Sequence, residues 1–553
     1  MTHPAAAFAR ELVASLAVHG VEDFVLCPGS RSGPVAHALV AAASGTEGAP
    51  KVSLHVRIDE RSAAFLALGI AKGLAAEGTP RPVAVVTTSG TAVGNLLPAI
   101  MEAHHGGVPL IFITADRPRE LRGVGANQTT DQVGMFGTFV RWSADIGAPS
   151  DAEPPGRATA LAARAAATAA GDAASEEALA AAGPVHLNVE FREPLGPDGG
   201  EWPLTSRVEP VFSGAIAVGS PASVQGEPLP AVARGVVIAG DGAGDAARIV
   251  AEVHGWPLLA EPTSGARTGP ACVGGYVGLL ESDAGRALAQ SVELVVVIGR
   301  PTLTRHVQAL IAEAKSLYIA SHGARWREAP LHATQVLARV PRSWLDRPNQ
   351  ADDQAWLNEW LEAAAGMPGL DEGSWNARAV AATWLGALGP DSLAVLGSSG
   401  PIRSIDRLAP SWPVGRAPFL LANRGLAGID GTVSTALGVA LGSRHPVEAL
   451  MGDVTFLHDV GGLLVGPLEA RPDVRITVVN DGGGRIFAGL EHASAPADHV
   501  ERVFTTPHGV GFGGICAAYG ARHVVAGSVE ELALALRRAP RGVEVVEAVV
   551  TSN

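Results

Sequence analysis

Short runs of consecutive apolar, largely β-branched residues recur along the chain. Each is followed by a turn rich in Gly, Ser or Asn and then by a long Ala- and Leu-rich segment. The runs are Asp23–Cys27 (DFVLC), Val83–Thr87 (VAVVT), Leu110–Thr114 (LIFIT), Val236–Ala239 (VVIA), Leu294–Ile298 (LVVVI), Leu393–Leu396 (LAVL) and Ile476–Val479 (ITVV). A strand with one wet face alternates apolar and polar side chains, whereas an unbroken apolar run is a strand covered on both faces. Such strands alternating with helical segments predict an α/β protein built from doubly wound parallel sheets.

The rhythm fails twice: over about 192–233, where Pro, Gly and Ser cluster without periodicity, and over about 340–371, around PRSWLDRPNQADDQ. Three units are therefore expected, 1–190, 191–345 and 370–553. The first and third read as distant copies, since VPLIFITADRP resembles VRITVVNDGGG. With 47% apolar and 17% charged residues, disorder is excluded. A net charge of −14 argues against a basic face for nucleic acid. No uncharged apolar run reaches the ~18 residues of a membrane span. Arg10 and Glu11 interrupt the first apolar stretch, which reads as an ordinary helix and not a signal peptide. A soluble, cytoplasmic protein with neither nucleic-acid nor membrane partners is expected. Cys27, Cys272 and Cys516 form no CxxC pair and read as small buried apolar residues, not disulfides or zinc ligands.

Three stretches carry candidate chemistry. In the first, a strand ends at Gly452-Asp453-Val454 and the next ends at Asn480-Asp481-Gly482. In a parallel β-α-β unit both turns fall at the carboxyl ends of strands, where doubly wound sheets bind ligands. Asp453, the Asn480 side chain and a nearby carbonyl are hard oxygen donors of the kind Mg²⁺ takes alongside phosphate oxygens. Gly-Asp and Asn-Asp-Gly are also ordinary β-turn sequences, so the pair alone leaves both readings open. The second stretch, VSLHVRIDERSAAFLALG, runs a strand into Asp59-Glu60 and an Ala-rich helix. One acid is expected to cap that helix, leaving the other free to face an apolar cleft. The third, Thr88–Ala92, is a small-residue turn too short to specify a phosphate loop. Gly240-x-Gly242-x-Gly244 lacks the full dinucleotide fingerprint and reads as a structural turn.

Taken together, the strand–Glu60–helix element and the Gly-Asp…Asn motif, with a unit between them, resemble the thiamine diphosphate-dependent enzymes of the decarboxylase and acetolactate synthase type. The resemblance implies an N-terminal pyrimidine-binding domain, a middle domain and a C-terminal diphosphate-binding domain. It implies Glu60 as the catalytic glutamate that hydrogen-bonds the cofactor's aminopyrimidine ring. Gly452, Asp453, Val454, Asn480 and Gly482 would contact the cofactor, with Asp453, Asn480 and the Gly482 carbonyl holding Mg²⁺ (Mn²⁺ the alternative). Ile429 would be the apolar wedge beneath the bent cofactor. Val454, usually Gly, and Asp481, often Asn, depart from the pattern.

Further stretches narrow the resemblance to the menaquinone-pathway branch of that family, which joins 2-oxoglutarate to isochorismate with loss of CO₂. They are CPGSR (27–31), TSGTAVGN (88–95), TADRP (114–118), GANQ (125–128), NRGLAGIDGTVS (423–434) and NDGGGRIF (480–487). Both substrates are dianions, and arginine binds carboxylates bidentately. The matching implies substrate contacts from Arg31, Arg117, Arg403 and Arg424, with Ser30, Gln128 and Ser399 as polar partners. Gln128 and Arg403 would also take part in catalysis. Ile486, Phe487 and Leu490 would form an apolar wall, and Arg305 would reach in from the middle domain. At least a homodimer, and up to a homotetramer, is implied, with each site shared between chains.

Overall fold

The computed structural model describes residues 3–152, 156–171, 181–207, 227–321, 330–346, 354–367, 374–408 and 410–550. Parts of both aperiodic segments, 208–226 in the first and 347–353 with 368–373 in the second, lie outside the described residues.

Among the described residues seventeen strands form three sheets, and every ladder between them is parallel. The first sheet contains β1 (Asp23–Leu26), β2 (Ser53–Val56), β3 (Val83–Thr87), β4 (Leu110–Asp116), β5 (Trp142–Ile146) and β6 (Val185–Glu190). The second contains β7 (Gly235–Ala239), β8 (Leu258–Ala260), β9 (Leu294–Ile298), β10 (Leu317–Ala320) and β11 (Gln335–Leu337). The third contains β12 (Leu393–Leu396), β13 (Phe419–Ala422), β14 (Val447–Gly452), β15 (Val474–Asn480), β16 (Arg522–Ala526) and β17 (Val543–Val549).

The apolar runs are the central strands: β3, β7, β9 and β12 are buried at every position, as an unbroken apolar pattern requires. The fold class expected from the pattern is the one observed. The first sheet has the order β2-β1-β3-β4-β6-β5 and the third β13-β12-β14-β15-β17-β16, the same order when each is counted from its own first strand. The repeat suggested by VPLIFITADRP and VRITVVNDGGG is thus a repeat of topology. All three cysteines are buried and free. Among the described residues no helix is long and apolar enough to cross a membrane.

The first and third units share one core. Phe65, Leu66 and Ile70 pack in the same apolar cluster as Val433, Leu437 and Val439. The contact is made by two helices, Glu60–Ala76 and Thr432–Ser443, crossing at glycines. A Cβ built on Gly69 would lie 2.2 Å from the Thr435 carbonyl oxygen, and one on Gly438 2.2 Å from that of Leu66. Gly442 stands in the same relation to the Ile70 carbonyl, also at 2.2 Å. The backbones therefore touch, and no side chain fits between them.

Substitution at the crossing tests this. Gly438→Ala is expected to cost about 1–3 kcal/mol, the usual range for an overpacked core, read as a lower urea midpoint. Gly386→Ala, where an added Cβ meets nothing within 4 Å, serves as the control. Equal midpoints for the two variants would show that the helices part freely.

Candidate active site

Ligands of doubly wound sheets bind beyond the carboxyl ends of the strands, where the strand order reverses. In the two six-stranded sheets that point lies between β1 and β3 and between β12 and β14. Most residues singled out by the sequence lie on the loops at or beside these two points.

At the first, β1 delivers Ser30 and Arg31 and β3 delivers Thr88-Ser89-Gly90. A Cβ on Gly29 would fall 2.3 Å from Thr88 Cβ, so glycine is what lets the two loops meet. Ser30 is exposed, whereas Arg31 is buried. Arg31 Nη1 donates to the Phe191 carbonyl at 2.8 Å, and its buried Nε has no hydrogen-bond partner among the described residues. Glu193 lies 3.8 Å away but is largely exposed. The Arg31 guanidinium is held below its ordinary pKa, first by burial and then by repulsion from Arg117 at the end of β4. Gln128 has a left-handed backbone, φ 56°, unusual for a side chain of its kind. Its amide donates to the Ser89 carbonyl at 3.0 Å, and Ser89 Oγ donates back to the Gln128 carbonyl at 2.9 Å. Fully buried Gln132 fixes the same turn by accepting from Gly90 N at 2.9 Å.

At the second point the arrangement recurs. Ser399, with φ 76°, follows β12, and Arg403 donates to its carbonyl at 3.0 Å. Arg424, just past β13, is buried and donates through Nη2 to Thr302 Oγ1, while its buried Nε has no partner among the described residues. The Arg403 guanidinium is likewise held below its ordinary pKa, by desolvation first and by repulsion from Arg424 second. Two pairs of arginines thus face each other's charge, one pair at each sheet.

Asp453 is buried at the end of β14. Its Oδ1 accepts from Val454 N at 2.7 Å, and its Oδ2 accepts from Gly483 N at 2.8 Å and from His508 Nε2 at 3.1 Å. His508 Nδ1 accepts from Val510 N at 3.0 Å, which puts the ring proton on Nε2. Asn480 donates through Nδ2 to Glu547 at 2.6 Å and turns Oδ1 toward Gly482 N at 3.2 Å. The Asp481 carboxyl is pushed up to about 6 by burial and then by repulsion from Asp453. Two carboxylates repelling one another beside an amide oxygen and a carbonyl-rich turn form a donor set that suits a hard divalent cation, Mg²⁺ or Mn²⁺. Among the described residues no group of three or more His, Cys, Asp or Glu gathers into a self-sufficient metal cage. Asp453, Asn480 and the Gly482 carbonyl would need ligands from a bound phosphate to complete an octahedron.

Asp59 caps the Glu60–Ala76 helix by accepting from Ser62 N at 2.9 Å, leaving Glu60 as the uncommitted acid. Glu60 is half-buried and receives Asn95 Nδ2 at 3.4 Å. Burial first, and the Glu60 charge second, push the Cys27 thiol pKa up. Ile429 is half-buried, and its carbonyl accepts from Thr432 Oγ1 at 3.2 Å. Ile486 and Phe487 lie on the turn Arg485–Gly489, with half-buried Leu490 next, and the Phe487 ring centroid is 5.4 Å from that of Phe504. Arg305 stands exposed at the start of Arg305–Ala312, 3.3 Å from Glu491. Within this chain it is paired with that acid and not with the other arginines. Gly240 of GDGAG packs on the Arg300–Pro301 backbone, where an added Cβ would come within 2.0 Å.

The sequence reading missed His508, Gln132 and Glu102. Each acts on a partner 42 to 323 residues away, so no local spacing announces it.

Comparisons with known proteins decide what carries this geometry. Residues 7–135 match the thiamine pyrophosphate enzyme N-terminal binding-domain family, and residues 409–548 match the C-terminal one. A 2-succinyl-5-enolpyruvyl-6-hydroxy-3-cyclohexene-1-carboxylate synthase of Nocardioides sp. is 44% identical, covering 99% of this chain and 95% of that protein. The synthase of the same name from Kineococcus radiotolerans is also 44% identical, over 100% and 97%. The chain belongs to the 2-succinyl-5-enolpyruvyl-6-hydroxy-3-cyclohexene-1-carboxylate synthase family. As a synthase of this family it is a thiamine diphosphate-dependent transferase. A benzoylformate decarboxylase from Polynucleobacter necessarius shares the fold, with a TM-score of 0.68 at 20% identity over 98% of both chains.

If Asp453 is the anionic metal ligand, Asp453→Ala should abolish Mg²⁺-dependent binding of thiamine diphosphate in a calorimetric titration. Unchanged binding would move the metal site elsewhere.

Proposed function

We propose that this synthase catalyses the decarboxylating carboligation of 2-oxoglutarate with isochorismate. The products are 2-succinyl-5-enolpyruvyl-6-hydroxy-3-cyclohexene-1-carboxylate and CO₂, as a step of menaquinone biosynthesis in the cytoplasm. The observation that carries the choice of substrates is the pair of mutually repelling arginine couples, Arg31 with Arg117 and Arg403 with Arg424. In a chain of net charge −14, an anion beside either couple would offset that repulsion. Two dianionic substrates supply four carboxylates, which a pyruvate-type site would not.

Bound thiamine diphosphate supplies the carbanion chemistry that releases CO₂ and forms the new carbon–carbon bond. The protein's part is placement and charge. Asp453, Asn480 and the Gly482 carbonyl would hold Mg²⁺, with Gly452 and Val454 as further cofactor contacts. Ile429 would support the cofactor as an apolar wedge. The Glu60 carboxyl would hydrogen-bond the aminopyrimidine ring. Arg31, Arg117, Arg403 and Arg424 would orient substrate carboxylates, helped by Ser30, Gln128 and Ser399, with Arg305 as the middle domain's contact. Ile486, Phe487 and Leu490 exclude water from the reacting carbons. Gln128 and Ser399 support this reading independently, because strained backbone of this kind concentrates at functional sites.

Arg403→Ala and Arg424→Ala should each lose about 1.5–3 kcal/mol of substrate binding, the value of a hydrogen bond to a charged group. That loss would appear as raised KM for a dicarboxylate substrate with little change in thiamine diphosphate affinity. Unchanged KM values in both variants would remove the arginines from the site.

A shared active site has its own test. Glu60→Gln should lower turnover by about 10²–10⁴, the usual worth of an acid–base group, and Asp453→Ala chains should be inactive. In a mixed dimer one site carries both lesions and the other neither. Mixing the two variants should therefore restore activity, up to half of the sites in each mixed dimer. No recovery, with subunit exchange confirmed by tag pull-down, would place each site within one chain.

A further inference from the structure

The loop Asn423–Gly428 carries Arg424 at one end and leads to Ile429 at the other; Asn423, Arg424 and Gly425 are buried, whereas the second half is partly open. Leu426 is 50% exposed. A cavity of about 300 Å³, bounded by Leu97, Pro98, Met101, Leu426, Gly428 and Asp430, opens beside it. Hydrogen bonds fix the course of the loop. The most concentrated set comes from Glu102, a buried carboxylate on the helix Leu97–Gly106 of the first unit. Its Oε1 accepts from Gly425 N and its Oε2 from Leu426 N, both at 2.6 Å.

Two successive amides bound by one carboxylate fix the orientation of that peptide and thus the direction in which Arg424, one residue earlier, leaves the backbone. The approach is close: a Cβ on Gly425 would lie 2.3 Å from the Glu102 carbonyl oxygen. The middle unit completes the grip, with Arg300 donating to the Gly425 carbonyl at 2.9 Å. Ile429 is held separately, through Thr432 at the start of the next helix. Releasing Glu102 would therefore disturb Arg424 more than the wedge.

We propose that Glu102 is a positioning residue that orients Arg424 toward a substrate carboxylate by binding the Gly425 and Leu426 amides across the boundary between the first and third units. The proposal rests on the reading of Arg424 as a substrate contact. A Glu102→Gln side chain retains one acceptor but turns an N–H toward an N–H at the other, so one of the two bonds is lost without loss of volume. Glu102→Asp keeps both acceptors on a shorter stem.

The test uses the full-length protein with thiamine diphosphate and Mg²⁺ and has two readouts. Amide exchange of the peptide containing Gly425 and Leu426 should accelerate at least about tenfold in Glu102→Gln, as the loss of one charged hydrogen bond implies. KM for one dicarboxylate substrate should rise by a similar factor, with kcat and cofactor affinity within about twofold. Glu102→Asp should recover part of both. Unchanged exchange would overturn the clamp. Faster exchange with unchanged KM, or a uniform fall in kcat, cofactor affinity and melting temperature, would overturn positioning and leave a purely structural carboxylate. If the wild type turned over neither 2-oxoglutarate nor isochorismate, the functional reading would fall by itself, and the exchange rates would still decide the clamp.

Discussion

The crossing of the Glu60–Ala76 and Thr432–Ser443 helices is the constraint from which the rest of the site follows. Glycines at 69, 438 and 442 bring the two backbones into contact, so neither helix can slide or rotate without a clash. Each helix is also an extension of a functional loop. The first begins at Glu60 itself, and the second begins three residues after Ile429. One rigid joint therefore sets the candidate proton-exchanging acid and the candidate cofactor wedge in a fixed frame. Ser62 Oγ donates to Asp459 at 2.9 Å, and Asp459 in turn accepts from Ser434 N at 2.7 Å, locking the beginnings of both helices through one buried carboxylate. Burial pushes the Asp459 pKa up, so that lock is made at an electrostatic cost that the surrounding donors offset.

The shared strand order of the two outer sheets gives each of them a matching cluster of loops. Because the strand order in each sheet reverses between its first and third strands, neighbouring loops diverge there. The helix crossing fixes the relation of the two sheets. The same device appears at both places: glycine at the first loop lets it touch the third strand's end, Gly29 against Thr88 in one sheet and Gly397 against Met451 in the other. An arginine couple then stands beside each. A duplicated unit thus supplies two similar loop clusters that differ in their acids, Glu60 beside one and Asp453 in the other.

Much of this was legible in the sequence, for physical reasons that differ by residue. Strands such as β3 and β9 were readable because burial on both faces leaves no polar position to blur the pattern. Asp453 and Asn480 were readable because a parallel crossover puts both at carboxyl strand ends. Asp59 and Glu60 could be told apart only as a pair, since either can cap a helix; the Ser62 hydrogen bond assigns the cap. Glu102, Gln132 and His508 were not legible. In a helix reading AIMEAHHG, Glu102 looks like any solvated acid, and its partners lie 323 and 324 residues away. What distinguishes it is burial, which only the packed units create. Arg305 has a third kind of difficulty. Its motif invites a role, but its observed partner is the exposed Glu491, an ion pair of small worth that a competing carboxylate would displace at little cost.

Electrostatics explains why so acidic a chain can still hold anions. Charge of −14 spread over the surface is screened within about 8 Å at physiological ionic strength, whereas a buried arginine with an unpartnered Nε, such as Arg31 or Arg424, is screened far less. Arg31 and Arg403 are held below their ordinary pKa by burial first and by repulsion from Arg117 and Arg424 second. The same repulsion becomes attraction for a carboxylate that enters between the two guanidinium groups. An anion bound there would offset that repulsion. Several nearby acids are engaged by other groups and so do not quench that potential. Asp116 and Glu190 are taken up by Arg122, at 2.7 and 3.0 Å, and Glu102 is taken up by backbone amides. The positive charge thus survives in an acidic protein because Asp116, Glu190 and Glu102 are committed to other donors and Glu193, 3.8 Å from Arg31, is largely exposed to solvent.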